Sequence, residues 1–66
     1  MRITYDPIAD AVDIVLKKGK VAKTKEIAKE VYLDVDKKET PLSLEILGVS
    51  EKVSKSNLRE LTISSK

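Results

Sequence analysis

Apolar side chains recur at alternate positions in three parts of this sequence. Residues 12–16, 31–35 and 42–46 each place Val, Ile or Leu at the first, third and fifth position. Successive side chains of a β-strand point to opposite faces, so this alternation is typical of strands that bury one face. Val and Ile are also β-branched, which favours strands. The sequence therefore predicts a mainly β fold.

Turn residues between the apolar segments divide the chain into candidate strands. These cover residues 2–5, 10–17, 21–28, 30–36 and 42–47. After Gly48 the apolar spacing loosens, and Ser50 and Asn57 are candidate N-caps of short helical turns. The predicted architecture is a single domain over residues 1–66, an antiparallel β-meander of four to five strands with a short C-terminal helix.

The segment at residues 21–28 is ambiguous, because its apolar residues are divided between both faces of an extended chain. Its Ala, Lys and Glu content also favours a helix. Turn signals on both sides favour an edge strand, on which Lys discourages pairing with other chains. Gly19 stands between Lys18 and Lys20 just before this segment, and we predict a hairpin turn there.

The alternating apolar residues predict one continuous core. Its members are Val12, Ile14, Leu16, Val31, Leu33, Val35, Leu44 and Ile46. A chain this short buries only about 60% of the surface that its unfolded form exposes. A single sheet also leaves an apolar face that so small a chain can hardly cover. We therefore expect a homodimer.

The sequence contains no Cys and no His. This removes disulfides, thiolate zinc sites and thiol nucleophiles, together with the commonest metal ligand and general base. The chain has only two Gly and no Gly-rich phosphate loop, and no Ser, Thr or Lys stands in a recognisable nucleophile motif. We therefore predict that the protein is not an enzyme and uses no cofactor.

Asp6, Asp10 and Asp13 are candidate ligands for a hard cation such as Mg²⁺ or Ca²⁺. A structural role is the favoured interpretation, since the spacing lacks the Gly-containing loop of a known calcium motif. Asp6 and Asp10 bracket Pro7 and are predicted to accept hydrogen bonds from the free amides of that turn. Asp13 is predicted to lie on the outer face of its strand. No metal site is therefore expected.

The chain has no apolar run near the roughly 18 to 20 residues needed to cross a bilayer. It also opens without a signal-peptide pattern. We therefore expect a cytoplasmic protein without membrane association. Charged residues make up 36% of the chain, mostly Lys and Glu, which is typical of proteins from thermophiles.

Positive charge is concentrated between residues 17 and 29. The lysines of this region are Lys17, Lys18, Lys20, Lys23, Lys25 and Lys29. Six lysines against Glu26 give +5, which leaves −3 for the rest of a chain of net charge +2. One hypothesis is non-specific nucleic-acid binding through phosphates, because the region has neither Arg nor aromatic residues for reading or stacking bases. The alternatives are an acidic protein partner and a merely solvated edge.

A second set of residues is a candidate surface for a basic protein partner. Its members are Tyr32, Asp34, Asp36 and Glu45. The first three alternate with inward-facing residues of one predicted strand, and Glu45 lies on the strand predicted to pair with it. Tyr32 is expected on the polar face as an exposed contact residue. The alternative is a solvated outer face with cross-strand Lys partners.

Residues 5–11 read Tyr-Asp-Pro-Ile-Ala-Asp-Ala and precede the alternating Val12 and Ile14. This opening resembles the domain of unknown function 2283 (DUF2283) family of small bacterial and archaeal proteins, whose members open with Tyr-Asp-x-x-Ala-Asp-Ala. A second similar stretch is Asp-Val-Asp at residues 34–36, followed by Leu-Glu-Ile-Leu at residues 44–47. The resemblance covers residues 1–53 and leaves residues 54–66 as a variable tail.

The sequence departs from the family pattern at two later turns. Lys29-Glu30 stands where Asp-Gly is usual, and Glu39 stands where Gly is common. We predict that these turns are wider here. The family has no established activity, but its members often look like partners of small toxin-like proteins encoded beside them. The resemblance therefore implies a protein-binding module with an antitoxin-like role.

Overall fold

The structure, a computed structural model, describes residues 1–53 and contains five strands and one short helix. The strands are β1 (Arg2–Asp6), β2 (Ala11–Val15), β3 (Lys23–Ala28), β4 (Val31–Val35) and β5 (Pro41–Leu47). The helix, α1 (Val49–Lys52), follows directly. The mainly β class, the strand number, the short helix and the edge strand at residues 21–28 are confirmed. The predicted cap at Asn57 lies outside the described residues.

The strand order is β1-β2-β5-β4-β3, and all neighbours are antiparallel. A simple meander and the hairpin predicted at Gly19 are therefore wrong, because β2 pairs with β5 rather than β3. Instead residues 16–22, the crossover, pass from β2 to the far edge of the sheet. The start of β3 lies at the same end of the sheet as the end of β2, roughly 14 Å away across three strand spacings. Strands β2 to β5 thus have Greek-key order.

Gly19 allows the crossover to approach β5 closely instead of turning a hairpin. A Cβ at Gly19 would lie only 2.8 Å from Cδ2 of Leu42, whose side chain is buried. The carbonyl of Leu42 also accepts hydrogen bonds from the backbone N–H groups of Leu16 and Lys17, at 2.8 and 3.1 Å. The crossover is therefore held in place over Leu42.

The cross-strand register gives the sheet one apolar and one polar face. Two neighbouring rows of the apolar face are Ile3, Ile14, Leu44 and Leu33, and Tyr5, Val12, Ile46 and Val31. Helix α1 covers part of this face, because Val49 packs with Val12 and with the half-buried side chains around it. No helix among residues 1–53 is long and apolar enough to cross a membrane.

The core is smaller than the sequence predicted. The apolar side chains buried in the described part of the chain are Val12, Val35, Leu42 and Val49. Five other predicted core residues are only half-buried: Ile14, Val31, Leu33, Leu44 and Ile46. The prediction for Leu16 is wrong, since β2 ends at Val15 and the chain leaves the sheet, so that Leu16 is 44% exposed.

In each of two turns, a glutamate has the left-handed backbone conformation that glycine favours. Glu30 has φ 59° and Glu39 has φ 62°. Only Lys29 and Glu30 separate β3 from β4, so the prediction of a wider turn is wrong there. A side chain in this left-handed region costs roughly 1 to 2 kcal/mol, and both glutamates therefore carry backbone strain.

Replacing Glu39 by glycine is expected to raise the free energy of unfolding by up to about 1 kcal/mol. The relief of strain exceeds the extra flexibility of glycine and the small contribution of the exposed ion pair between Glu39 and Lys25. Urea denaturation followed by circular dichroism measures the change. Lys37→Gly is the control, because Lys37 lies in the same turn without a positive φ. A Glu39→Gly protein that is less stable than the unchanged protein would contradict the conclusion that Glu39 carries backbone strain.

Candidate functional site

The polar face of the sheet carries a row of three acidic side chains and one tyrosine across four strands. Asp13 of β2 lies opposite Glu45 of β5, Glu45 lies opposite Tyr32 of β4, and Tyr32 lies opposite Glu26 of β3. Directly opposed residues in a sheet have Cβ atoms about 4.5 to 5.5 Å apart. We call these four residues the acidic band. All three carboxylates belong to exposed residues.

Tyr32 lies in the middle of the acidic band with a carboxylate on either side. The negative charge of Glu26 is the main cause that raises the pKa of the Tyr32 phenol, followed by partial burial and a hydrogen bond to Glu26. Glu45 acts in the same direction. The phenol therefore stays protonated and can donate a hydrogen bond, while its ring offers apolar contact area.

Asp34 borders the acidic band in the next row of the polar face. Its Oδ1 accepts a hydrogen bond from Thr24 Oγ1 at 2.6 Å, and its Oδ2 accepts one from Ser43 Oγ at 2.8 Å. These contacts link β3, β4 and β5. The carboxylate is therefore held in position by two hydroxyl groups and adds a fourth negative charge beside the band.

Asp36 lies apart from the other candidate partner-binding residues, in the turn between β4 and β5. Its Oδ1 accepts hydrogen bonds from the backbone N–H groups of Lys38 at 2.8 Å and Thr40 at 2.9 Å. The bond from Thr40 is the main cause that lowers the pKa of Asp36. Lys38 and the charge of Lys17 also lower it, and desolvation opposes them. Asp36 thus stabilises a turn rather than joining the polar face.

The low pKa of Asp36 predicts a loss of stability in acid. A carboxyl group whose pKa is depressed by folding stabilises the protein above its unfolded pKa, and this contribution disappears as the pH falls through the folded pKa. Stability should therefore fall below about pH 4, where aspartate of the unfolded chain titrates. Urea denaturation at a series of pH values tests this. Asp36→Asn should show a shallower acid dependence, and an unchanged slope would contradict the prediction.

The fold separates the lysines of residues 17–29 into three places. Lys17, Lys18 and Lys20 lie at the crossover end of the sheet, and Lys29 lies in the turn at the opposite end. Lys23 and Lys25 lie on β3, at the edge of the sheet. Lys25 forms an ion pair with Glu39, and its hydrogen bond and charge, with the charge of Lys23, lower the pKa of Glu39. Nucleic-acid binding by the whole region stays a prediction.

The three aspartates that are candidate cation ligands do not converge. Asp6 Oδ1 accepts hydrogen bonds from the backbone N–H groups of Ile8 and Ala9, at 3.0 and 3.2 Å, which confirms its predicted turn role. Asp13 lies on the polar face, as predicted. Asp10 was predicted wrongly, because its carboxylate binds Ser50 instead. No group of three metal-ligating side chains is found among residues 1–53.

Local sequence patterns do not predict that Glu26 and Asp13 share a row with Tyr32. Glu26 lies in the segment whose apolar residues do not mark an inner face. The register between β3 and β4 also shifts directly after the pair of Glu26 and Tyr32, so a simple alternation does not predict this pair. Asp13 is predicted on an outer face, but the hairpin predicted at Gly19 would place β3 beside it instead of Glu45 of β5. Only the strand order brings these side chains together.

Residues 1–53 define a class of small proteins built on one open antiparallel sheet followed by a short helix. Residues 2–50 of the chain match the family model described as protein of unknown function (DUF2283). The protein therefore belongs to the DUF2283 family. Comparison with curated proteins and with solved structures gave no match.

Proposed function

We propose that this protein is a non-catalytic protein-binding module that binds a basic partner through the acidic band. The observation that carries the proposal is the position of Tyr32 between the carboxylates of Glu26 and Glu45. Tyr is enriched among the residues that dominate binding energy at interfaces. Carboxylates around it favour encounter with a positively charged surface and disfavour an acidic one.

The accessibility of the polar face supports the proposal. Helix α1 packs against the apolar face through Val49, and the crossover passes over Leu42 on that same face. Neither element covers the polar face within residues 1–53. The acidic band therefore remains open to a partner without any rearrangement of the described fold.

A titration with an arginine-rich peptide, monitored by NMR, tests the proposal. Shift changes should be confined to the acidic band and Asp34. Tyr32→Ala should weaken binding about tenfold, since truncation of a central aromatic residue commonly costs more than 1 kcal/mol. Glu51→Gln is the control, because Glu51 is an exposed acid on α1. Equal weakening by Tyr32→Ala and by Glu51→Gln would overturn the proposal, since binding would then not depend on the acidic band in particular.

We further propose that the partner is a small toxin-like protein encoded beside this one, as the family resemblance implies. Co-expression with the product of the neighbouring reading frame tests this part separately. Glu45→Lys should prevent co-purification, while Glu51→Lys should leave it intact. If the neighbouring product never co-purifies while the peptide titration succeeds, the protein-binding proposal stands and the antitoxin-like role falls.

Self-association is expected through the apolar face. Leu33 and Leu44 oppose each other there and are only half-buried, so the described fold leaves apolar surface near the middle of the sheet. A second copy would cover this surface and compensate for the small core. Light scattering across a dilution series should give the mass of a dimer. The mass of a monomer at every concentration would contradict this expectation.

A further inference from the structure

A cleft of about 430 Å³ lies at the crossover end of the sheet. The crossover forms one side, and the turn between β4 and β5 forms the other. Both segments are held by backbone hydrogen bonds, from Ala22 N–H to the carbonyl of Val35 at 2.8 Å and from Asp36 N–H to the carbonyl of Thr40 at 3.1 Å. The cleft is therefore part of the folded framework and has the volume of an ordinary small-molecule site.

Four lysines from two separate parts of the sequence line this cleft. Lys17 and Lys20 come from the crossover, and Lys37 and Lys38 come from the opposite turn. The salt bridges within residues 1–53 involve other lysines, so none of these four ammonium groups is within 4.0 Å of a carboxylate of the described chain. The cleft therefore gathers positive charge that its own residues leave largely unneutralised.

Asp36 is the one acidic residue among residues 1–53 that lines the cleft. Its carboxylate contributes a single negative charge against the four positive ones, and its Oδ1 already accepts two backbone hydrogen bonds. Val21 and Ala22 supply the apolar part of the lining. A concave surface with charge mainly of one sign focuses the electrostatic field and concentrates small ions of the opposite sign.

We propose that this cleft binds a small molecule through a diphosphate or triphosphate group. Each lysine ammonium is a compact charge with three donors, which is the chemistry that binds phosphate oxygens. Within residues 1–53 the cleft offers no Arg and no aromatic side chain, so this lining lacks the groups that pair with or stack on bases. A compact polyphosphate therefore fits the lining better than a polynucleotide does.

The position of the cleft separates this proposal from the function proposed for the acidic band. The band has the opposite charge and extends across the polar face from β2 to β3, whereas the cleft lies beyond the ends of β2 and β4. Either site can be disabled without changing a residue of the other. Failure of one proposal therefore leaves the other intact.

Isothermal titration calorimetry with inorganic tripolyphosphate and with ATP, on the full chain, tests the proposal. Both should bind saturably at one site per chain and more weakly as salt is added. Lys37→Glu and Lys20→Glu should each reduce affinity on the order of tenfold, because each replaces an attraction by a repulsion. Lys29→Glu is the matched control, since it makes the same charge change at the opposite end of the sheet, roughly 20 Å along β3.

The relative affinities for tripolyphosphate and ATP show which part of a phosphate-containing ligand the cleft recognises. Equal affinity for tripolyphosphate and ATP shows recognition of the phosphates alone, while tighter binding of ATP adds a contact to the nucleoside; both support the proposal. Absence of saturable binding overturns it, provided that circular dichroism shows the protein folded. An equal loss in Lys29→Glu, or binding of a mixed oligonucleotide without binding of tripolyphosphate, overturns it as well.

Discussion

Replacing Leu42 by alanine is expected to lower the free energy of unfolding by about 2 to 5 kcal/mol. The Leu42 side chain is 3% exposed, and Gly19 approaches it closely enough to leave no room for another methyl group. Truncation removes apolar burial and leaves a cavity under the crossover, whose position depends on this contact. Because so small a domain has a narrow margin of stability, the loss is a large share of the total.

Urea denaturation followed by circular dichroism measures this loss. Leu44→Ala is the first control, since Leu44 is only half-buried in the same strand and should lose less. Leu16→Ala is the second, because Leu16 is 44% exposed and its truncation should change stability by less than about 1 kcal/mol. A Leu42→Ala protein as stable as the Leu16→Ala protein would show that the crossover is not packed on β5.

Replacing Asp10 by alanine should lower the free energy of unfolding by about 2 to 3 kcal/mol. Asp10 caps α1 from forty residues away in the sequence, because Ser50 donates to its carboxylate from the backbone N–H at 3.0 Å and from Oγ at 2.7 Å. Its own carbonyl accepts a hydrogen bond from Val49 N–H at 3.1 Å. Alanine removes both carboxylate bonds and is poorly tolerated at φ 54°.

Two further variants separate these causes. Asp10→Gly removes the carboxylate bonds but tolerates the positive φ, so it should be less destabilising than Asp10→Ala. Ser50→Ala removes only the hydroxyl bond, and in a double-mutant cycle it should be markedly less harmful once Asp10 is already alanine. Strictly additive effects would show that Asp10 and Ser50 do not interact in solution. Hydrogen exchange at the Ser50 amide reports the same contact directly.

The capping of α1 also explains one error of the sequence-based prediction. Ser50 is a candidate N-cap by sequence, but the N-cap position is Gly48 with φ 61°, which offers no side-chain cap. The missing cap comes from Asp10, in the turn between β1 and β2. Sequence rules search for caps within a few residues, so a partner forty positions away leaves no local signal.

The sequence by itself determined the local structure and which side chains lie on each face of a strand. Most of the strands and the polar position of Asp13 follow from short patterns, because the pleat of an extended chain imposes a period of two. Turn signals alone favour the strand at residues 21–28, and the turn role of Asp6 follows from its place before Pro7. The DUF2283 family was likewise recognisable from a short segment at the start of the chain. These features need no knowledge of which strands are neighbours.

Only the tertiary structure decided which strands meet. The contact of Gly19 with Leu42 and the packing of Val49 on Val12 hold β5 beside β2, although 25 residues, 16–40, separate the two strands. This strand order assembles the acidic band on the polar face. It also brings lysines that are distant in the sequence together in one cleft. Contacts between residues far apart in the chain leave no period in the sequence, so local patterns predict the strands but not the surfaces that the strands create together.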